Sequence, residues 1–145
     1  MPTIAIISQK GGAGKTTLAL HLAAASQDAG RVALVIDTDP QATASQWASW
    51  RQDAPPEVID SPPPRLAAKV AAAMGQGAQL VVIDTPPHAD SAARAAVEVA
   101  GAAAGGAGVG ATCCRDGERA GGIGSPHLLD VVVPVVVKTA AVKRG

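Results

Sequence analysis

The segment at residues 9–17, QKGGAGKTT, has the residue types and spacing of a phosphate-binding loop. Its glycines let the backbone bend closely around a ligand so that N–H groups point at phosphate oxygens, and the dipole of a following helix favours negative charge. We expect Lys15 to reach the β- and γ-phosphates of a nucleoside triphosphate, and the Thr16 hydroxyl to ligate Mg²⁺. The other residues expected around the phosphates are Gly11, Gly12, Ala13 and Gly14. The usual pattern has glycine where Gln9 stands, and the alternative is a glycine-rich turn that binds no ligand.

Three aspartates that follow or close apolar runs are candidates for the metal site and for catalysis. In phosphoryl-transfer enzymes an acidic residue at the end of a strand holds the metal, directly or through water. Asp37 and Asp84 each close a four-residue apolar run, and their spacing does not decide between them. Asp39 lies where it could orient an attacking water. The alternative is that one of the three only caps the following helix, and Asp39, directly before Pro40, is the first choice for that role.

Apolar runs alternate with helical patterns from residue 1 to residue 100, which predicts βαβ units. The predicted strands span 3–8, 31–37, 57–59 and 80–84, and the predicted helices span about 16–29, 39–52, 64–74 and 90–100. The predicted fold class is therefore α/β: a P-loop NTPase-like parallel sheet flanked by helices, with right-handed crossovers. Binding sites in such sheets lie at the carboxyl ends of the strands, which are here Ser8, Asp37 and Asp84.

Two of the helices carry predictions about which side chains are buried. In the first helix we expect the apolar stripe to be Leu18, Leu22, Ala25 and Ala29. In the second helix Trp47 and Trp50 are three positions apart, and we expect them to pack against the sheet.

Composition excludes several classes of protein. The chain has 145 residues, enough for one domain, and 48% of them are hydrophobic but only 1% aromatic. Twelve basic residues balance twelve acidic ones, so no overall charge attracts nucleic acid or anionic lipid.

The N-terminus has no signal-peptide pattern, and the longest strongly apolar run, 131–137, is too short to cross a bilayer. Cys113 and Cys114 are adjacent and form neither a disulfide framework nor a zinc site, so we expect a cytoplasmic protein.

The sequence changes character after Ala100. Ten of the sixteen glycines fall in residues 101–145, and only the stretch 128–138 resembles a strand, which Pro134 would confine to an edge or a bulge. We therefore expect a nucleotide-binding domain at 1–100 and a Gly/Ala-rich tail at 101–145 that is disordered or read out of frame. The sheet would then be incomplete on its C-terminal side. The alternative is a flexible linker that leads to one edge strand.

Three motifs together resemble the ParA/MinD family of deviant Walker-A ATPases. They are KGGAGKTT at 10–17, DTDPQ at 37–41 and VVIDTPP at 81–87, in the order in which that family has them. The resemblance covers residues 1 to about 100. The short spacing between the second and third motifs leaves no room for an inserted DNA-reading domain, as in the compact ParA-like proteins.

That resemblance implies ATP and Mg²⁺ as ligands and gives roles to individual residues. Lys10 is the signature lysine, which crosses an ATP-sandwiched dimer to touch the partner's nucleotide. Asp39 matches the aspartate that positions the hydrolytic water, and Thr17 matches the residue on the α-phosphate. Asp84 matches the Walker-B aspartate, which holds Mg²⁺ through water, and Asp37 lies near the metal. The residues expected to act in catalysis are thus Lys10, Lys15 and Asp39.

The function implied is that of a cytoplasmic partition ATPase, whose ATP-dependent homodimer acts in plasmid or chromosome segregation with a ParB-like or adaptor protein. Two alternatives stay open: a nucleotide-binding fragment without turnover, and an ATPase of the same fold that positions another cargo. The family's DNA-facing basic residues and adenine-binding segments are not identifiable in this sequence. Non-specific DNA is therefore a candidate partner for which the sequence identifies no binding surface. The tail lacks the amphipathic helix of a MinD-like anchor, so no membrane partner is expected. His88 is expected to face solvent.

Overall fold

The computed structural model describes residues 2–8, 11–52, 54–103 and 135–138. Its elements, in chain order, are β1 (Thr3–Ile6), α1 (Lys15–Asp28), β2 (Ala33–Asp37), α2 (Thr43–Trp50), β3 (Glu57–Asp60), a 3-10 turn (Pro63–Arg65), α3 (Leu66–Gly75), β4 (Leu80–Asp84), α4 (Asp90–Ala103) and β5 (Val135–Lys138). None of the helices in these ranges is long and apolar enough to cross a membrane. The predicted alternation of strands and helices over the first 100 residues is confirmed.

The five strands form one sheet in the order β3-β2-β4-β1-β5. Strands β1 to β4 pair in parallel, and β5 pairs antiparallel with β1. The predicted fold class, an α/β parallel sheet flanked by helices, is confirmed. Strand β5 ends the described sheet and begins directly after Pro134, in agreement with the predicted edge position. The rest of the predicted tail lies outside the described residues, so the division near residue 100 stays a prediction.

Both faces of the sheet are covered, because side chains alternate between the two faces along each strand. One face packs against α3 and α4, in a core whose buried members are Ala5, Leu34, Ile36, Leu66, Val70, Ala73, Val81, Ile83, Ala96 and Ala100. The other face packs against α1 and α2, in a core whose buried members are Ile6, Ala19, Leu20, Ala23, Ala33, Val35, Ala44, Leu80 and Val82. Asp37 and Asp84 lie two residues beyond Val35 and Val82, and therefore on the same face as α1 and α2.

The buried side of α1 differs from the prediction. Its buried residues are Lys15, Ala19, Leu20 and Ala23. Of the expected stripe, Leu18 and Leu22 are half-buried, whereas Ala25 and Ala29 are exposed. The stripe was wrongly predicted because an alanine-rich helix has no clear apolar side. The orientation follows instead from Lys15, since steps of four residues from it pass through Ala19 and Ala23.

The two tryptophans of α2 lie in different environments. Trp47 is half-buried and packs against the core beside α1, and the Arg51 guanidinium lies over its ring, 4.6 Å from the centroid. Trp50 is 79% exposed. The buried residues of α2 are Ala44 and Ala48, and helical geometry puts Trp50 on the opposite side from them. The prediction that both tryptophans pack against the sheet is confirmed for Trp47 and wrong for Trp50.

Candidate functional site

The glycine-rich turn between β1 and α1 has the backbone of a ligand-binding loop. Gly12 and Gly14 have φ angles of 71° and 74°, a left-handed conformation that favours glycine. Gly14 is the N-cap of α1, so no side chain caps the N–H groups of the first helical turn. A Cβ atom placed on Gly11, Gly12 or Gly14 would meet no atom of the described chain within 4 Å. Among the described residues, the space beside these three glycines is open.

Helix α1 brings Lys15 and Thr16 to the end of β4. Lys15 is 6% exposed, and its positive charge lowers the pKa of the Asp84 carboxyl group. The Thr16 side chain hydrogen-bonds that same carboxyl group, which also lowers its pKa. Lys15 and Thr16, predicted from the loop motif, thus lie beside Asp84, predicted from the end of a strand.

The Asp84 carboxyl group is buried and incompletely satisfied. The residue is 1% exposed, and burial, the largest influence, raises the pKa of its carboxyl group from 3.8 to about 6. The nearby Asp37 and Asp39 carboxyl groups contribute smaller parts of this rise. Its Oδ1 atom has no hydrogen-bond partner among the described residues. An unpaired buried carboxylate oxygen is costly, and a cation or a water held by a cation would satisfy it.

These residues fit a magnesium ion better than a metal enclosed by protein ligands. In the described ranges no three His, Cys, Asp or Glu side chains cluster closely enough to hold a metal among themselves. Mg²⁺ is usually held by one or two carboxylates together with substrate phosphates and water. The Thr16 hydroxyl and the Asp84 Oδ1 atom, beside an open phosphate loop, match that donor set.

Both carboxylate oxygens of Asp37 accept hydrogen bonds from the backbone around it. Its Oδ1 atom accepts the Asp39 N–H at 2.9 Å, and its Oδ2 atom accepts the Ala44 N–H at 3.0 Å, in the first turn of α2. Burial raises the pKa of the Asp37 carboxyl group, although these hydrogen bonds lower it. The alternative in which Asp39 caps this helix is wrong, because Asp37 and not Asp39 accepts an N–H of the first turn of α2. The assignment of Asp37 to the metal stays a prediction.

Asp39 is half-buried, and its Oδ1 atom accepts the Gln41 N–H at 2.9 Å. That bond closes a turn before the helix, and Ala42 then has a left-handed φ of 50°. Helix α2 consequently begins at Thr43, four residues after its predicted start. Asp39 thus belongs to a short loop between β2 and α2 rather than to the helix.

Two threonines that were not predicted as site residues hydrogen-bond to the ends of neighbouring strands. The Thr38 Oγ1 atom donates to the Asp84 carbonyl at 2.7 Å, and the Thr85 Oγ1 atom donates to the Ile6 carbonyl at 2.7 Å. Both threonines are buried. Each directly follows an aspartate at the end of a strand, and this repeated Asp-Thr pair was the available signal.

The structure brings most of the predicted site residues to one edge of the sheet. The loop 11–17, Asp37, Asp39 and Asp84 all lie at the carboxyl ends of β1, β2 and β4. Lys10 lies outside the described residues, as do Cys113 and Cys114. His88 is exposed, as predicted, in the loop that follows β4.

Comparison with known proteins agrees with this geometry. A family model described as the CobQ/CobB/MinD/ParA nucleotide binding domain matches residues 4–115. One relative is "Maintenance of carboxysome distribution protein A" of Gloeobacter kilaueensis, 45% identical over 95 residues, which are 65% of this chain and 43% of that protein. The protein of the same name from Halothiobacillus neapolitanus is 44% identical over 48 residues, 33% of this chain and 22% of its own length.

A third relative is "Chromosome partitioning protein ParA" of Myxococcus xanthus, 48% identical over 50 residues, which are 34% of this chain and 18% of that protein. This chain therefore spans less than half the length of the curated relatives it matches. The family match, in contrast, covers most of the chain and includes the phosphate loop, the Asp37–Asp39 loop and β4. The chain belongs to the CobQ/CobB/MinD/ParA nucleotide-binding domain family.

Proposed function

We propose that this chain binds ATP with Mg²⁺ and hydrolyses it, acting as a nucleotide-dependent switch of the partition type. The observation that carries the proposal is the buried Asp84 carboxyl group beside Thr16 and Lys15. Its Oδ1 atom has no partner among the described residues, and it lies at the end of the strand next to the phosphate loop. Such an oxygen suits a metal ion or the water that a metal ion holds.

Catalysis would depend on positioning and on neutralising charge, because phosphoryl transfer needs little covalent help from the protein. The N–H groups at the start of α1 and the Lys15 ammonium group would hold the phosphate oxygens, with Thr17 at the α-phosphate. The Thr16 hydroxyl and the Asp84 carboxyl group would hold the metal. A Mg²⁺ ion held by these two residues would supply positive charge that neutralises the charge developing on the phosphate oxygens.

Asp39 would orient the water that attacks the γ-phosphate. Its carboxyl group is half-buried in the loop after β2, and its bond from the Gln41 N–H restricts the side chain. Lys10 would contact the nucleotide of a second subunit. This role rests on the resemblance of the KGGAGKTT motif alone, because Lys10 is outside the described residues.

The test is nucleotide binding by the whole 145-residue chain with Lys15 replaced. Titration calorimetry with a slowly hydrolysed ATP analogue and Mg²⁺ should show that Lys15→Ala weakens binding by at least about tenfold, because a cation leaves the phosphate site. Lys69→Ala is the matched control, since Lys69 is an exposed lysine on α3. Equal affinity in both variants and the unmodified protein would contradict the proposed phosphate site.

Hydrolysis needs its own measurement, because a binding module would pass the first test. Release of labelled phosphate in a single turnover, with enzyme in excess over ATP, separates the two cases. Phosphate release that Asp39→Ala abolishes supports an ATPase. Binding without phosphate release supports a nucleotide-binding fragment without turnover.

The cellular role that we propose is that of an ATP-dependent homodimer in the cytoplasm, acting with a ParB-like or adaptor protein in plasmid or chromosome segregation. Non-specific DNA is a further candidate partner. A second candidate is the positioning of another cargo, because a relative named for carboxysome distribution matches over 95 residues and the ParA relative over 50. Deleting the gene and measuring plasmid loss, chromosome segregation and the distribution of large protein bodies would separate the two roles.

A further inference from the structure

The Thr38 side chain, which has no role in the proposed mechanism, holds the loop that contains Asp39. The Thr38 N–H and the Thr38 hydroxyl both donate to the carbonyl oxygen of Asp84, at 3.0 Å and 2.7 Å. Thr38 is 6% exposed, so both hydrogen bonds are shielded from water. One residue thus joins the loop after β2 to the last residue of β4.

We propose that Thr38 is a positioning residue for ATP hydrolysis: it holds Asp39 at a fixed place relative to Asp84. This inference rests on the proposed function, in which Asp39 orients the attacking water and Asp84 holds the metal. A water and a phosphate held by two different strands react only when those strands keep their spacing. A displacement of about 1 Å at such a site can lower a rate by about a hundredfold.

The chemistry of Thr38 suits this role. A β-branched side chain has few χ1 rotamers, so its hydroxyl can point in few directions. Because the N–H and the hydroxyl share one acceptor, Thr38 is held to the Asp84 carbonyl both through its backbone nitrogen and through its side chain. Asp37 secures the next residue, since its Oδ1 atom accepts the Asp39 N–H at 2.9 Å. The backbone of Asp39 is therefore held from both preceding residues.

Thr85 provides a matched comparison within the same sheet. Its hydroxyl donates to the carbonyl of Ile6 at 2.7 Å, the distance found for Thr38, and Thr85 is 1% exposed. The loop that it fastens does not carry Asp39. Thr85→Val therefore measures the loss of stability that follows when a buried hydroxyl bond of this kind is removed.

The experiment uses the full chain and measures two affinities and one rate. Thr38→Val, which keeps the shape and loses the hydroxyl, should bind the ATP analogue with Mg²⁺ within about twofold of the unmodified protein. Its single-turnover hydrolysis should be about tenfold to a hundredfold slower. Its affinity for ADP with aluminium fluoride, a mimic of the transition state, should fall by a similar factor. Thr38→Ser, which keeps the hydroxyl, should restore both.

A double-mutant cycle shows whether Thr38 acts through Asp39. In the Asp39→Ala protein, Thr38→Val should not weaken ADP-aluminium fluoride binding further, because the group that it positions is gone. An equal loss in both backgrounds, or unchanged hydrolysis in Thr38→Val, would overturn the inference. If Thr38→Val does not fold although Thr85→Val does, the pair Thr38→Ser and Thr38→Ala, which also differ by one hydroxyl, decides in the same way.

Hydrolysis by the unmodified protein distinguishes a failure of the proposed function from a failure of the Thr38 assignment. Failure of the unmodified protein to hydrolyse ATP would overturn the ATPase proposal, and this inference with it. Hydrolysis by the unmodified protein at a rate that Thr38→Val leaves unchanged would overturn the inference alone.

Discussion

Asp37 and Asp84 are paired in register on the neighbouring strands β2 and β4, and neither is more than 2% exposed. Burial raises the pKa of both carboxyl groups, and the Asp37 charge adds to the rise at Asp84. Their partners differ. Both oxygens of Asp37 accept backbone N–H groups, whereas the Asp84 Oδ1 atom has no partner among the described residues. Asp37 thus organises the backbone, and Asp84 has an oxygen left for a ligand.

The first prediction concerns the pH dependence of stability without Mg²⁺. In the folded protein the pKa of Asp84 is about 6, above its ordinary value of 3.8, so the folded state binds the proton more tightly. The stability from this group is fully present below about pH 4 and is lost as the pH rises through 6. At about 1.4 kcal/mol per pKa unit, the loss is about 3 kcal/mol.

Urea unfolding between pH 4 and pH 7 checks this prediction through the difference between the unmodified protein and Asp84→Asn. Asparagine cannot ionise, so the variant should gain relative stability as the pH rises. Glu98→Gln, which changes an exposed carboxyl group on α4, should follow the unmodified protein. A free-energy difference that does not change between pH 4 and pH 7 would contradict the prediction.

The second prediction separates backbone strain from ligand binding in the phosphate loop. Gly12 has a φ of 71° and Gly30, which follows α1, has a φ of 76°. Alanine at either position should destabilise the protein by a similar amount, about 1 kcal/mol, because a Cβ disfavours this conformation. Only Gly12→Ala should also weaken ATP-analogue binding, because only Gly12 lies in the phosphate loop. Thermal unfolding and calorimetry together give both values, and a comparable loss of binding in Gly30→Ala would refute the assignment.

The third prediction assigns Lys10 and Asp39 to different steps. Lys10→Ala should abolish ATP-dependent dimers, because the lysine is expected to contact the nucleotide of the second subunit. Asp39→Ala should form ATP-dependent dimers that do not hydrolyse ATP, because it lacks the carboxylate expected to orient water. Analytical sedimentation with and without ATP distinguishes these states. An Asp39→Ala protein that stays monomeric with ATP and still hydrolyses it would exclude this division of roles.

The fourth prediction concerns the structural task of Asp37. Asp37→Ala should destabilise the protein by about 2 kcal/mol, because the Asp39 and Ala44 N–H groups lose their acceptors. The half-buried Trp47 lies one turn beyond Ala44, so its fluorescence should report a loosened start of α2. Asp28→Ala, at the exposed end of α1, is the control for removing a carboxylate. Equal stability of the two variants in urea would show that the Asp37 bonds contribute little.

The four parallel strands could be predicted to within two residues at each end, because three of them are short apolar runs bounded by turn residues; β1 ends at Ile6, two residues before the predicted Ser8. β4 spans residues 80–84 as predicted, and its neighbour β2 ends at Asp37 as predicted. The orientation of α1 could not be predicted, because alanine at many positions leaves no contrast between its sides. The orientation depends on where Lys15 meets the end of β4, which is a tertiary relationship.

The site was predicted where the motif is continuous in sequence and missed where its bonds are long-range. The glycine-rich loop is one continuous segment, so its spacing alone predicts that it binds phosphate. The partners of Thr38 and Thr85 lie 46 and 79 residues away in the chain, and no local pattern reveals them. The different tasks of Asp37 and Asp39 likewise depend on where α2 begins.

The strand order of the sheet has a consequence for synthesis of the protein. β4 lies between β2 and β1, although it is the last of the four parallel strands to leave the ribosome. Thr3 pairs with Val81, so at about 5–20 residues per second roughly 4–16 s pass before β1 meets this neighbour. During that interval only β2 and β3 have their parallel partner available. A ribosome stalled before residue 80 would therefore carry a chain whose N-terminal apolar strand lacks its parallel partner, and an unpaired strand of this kind is prone to aggregate.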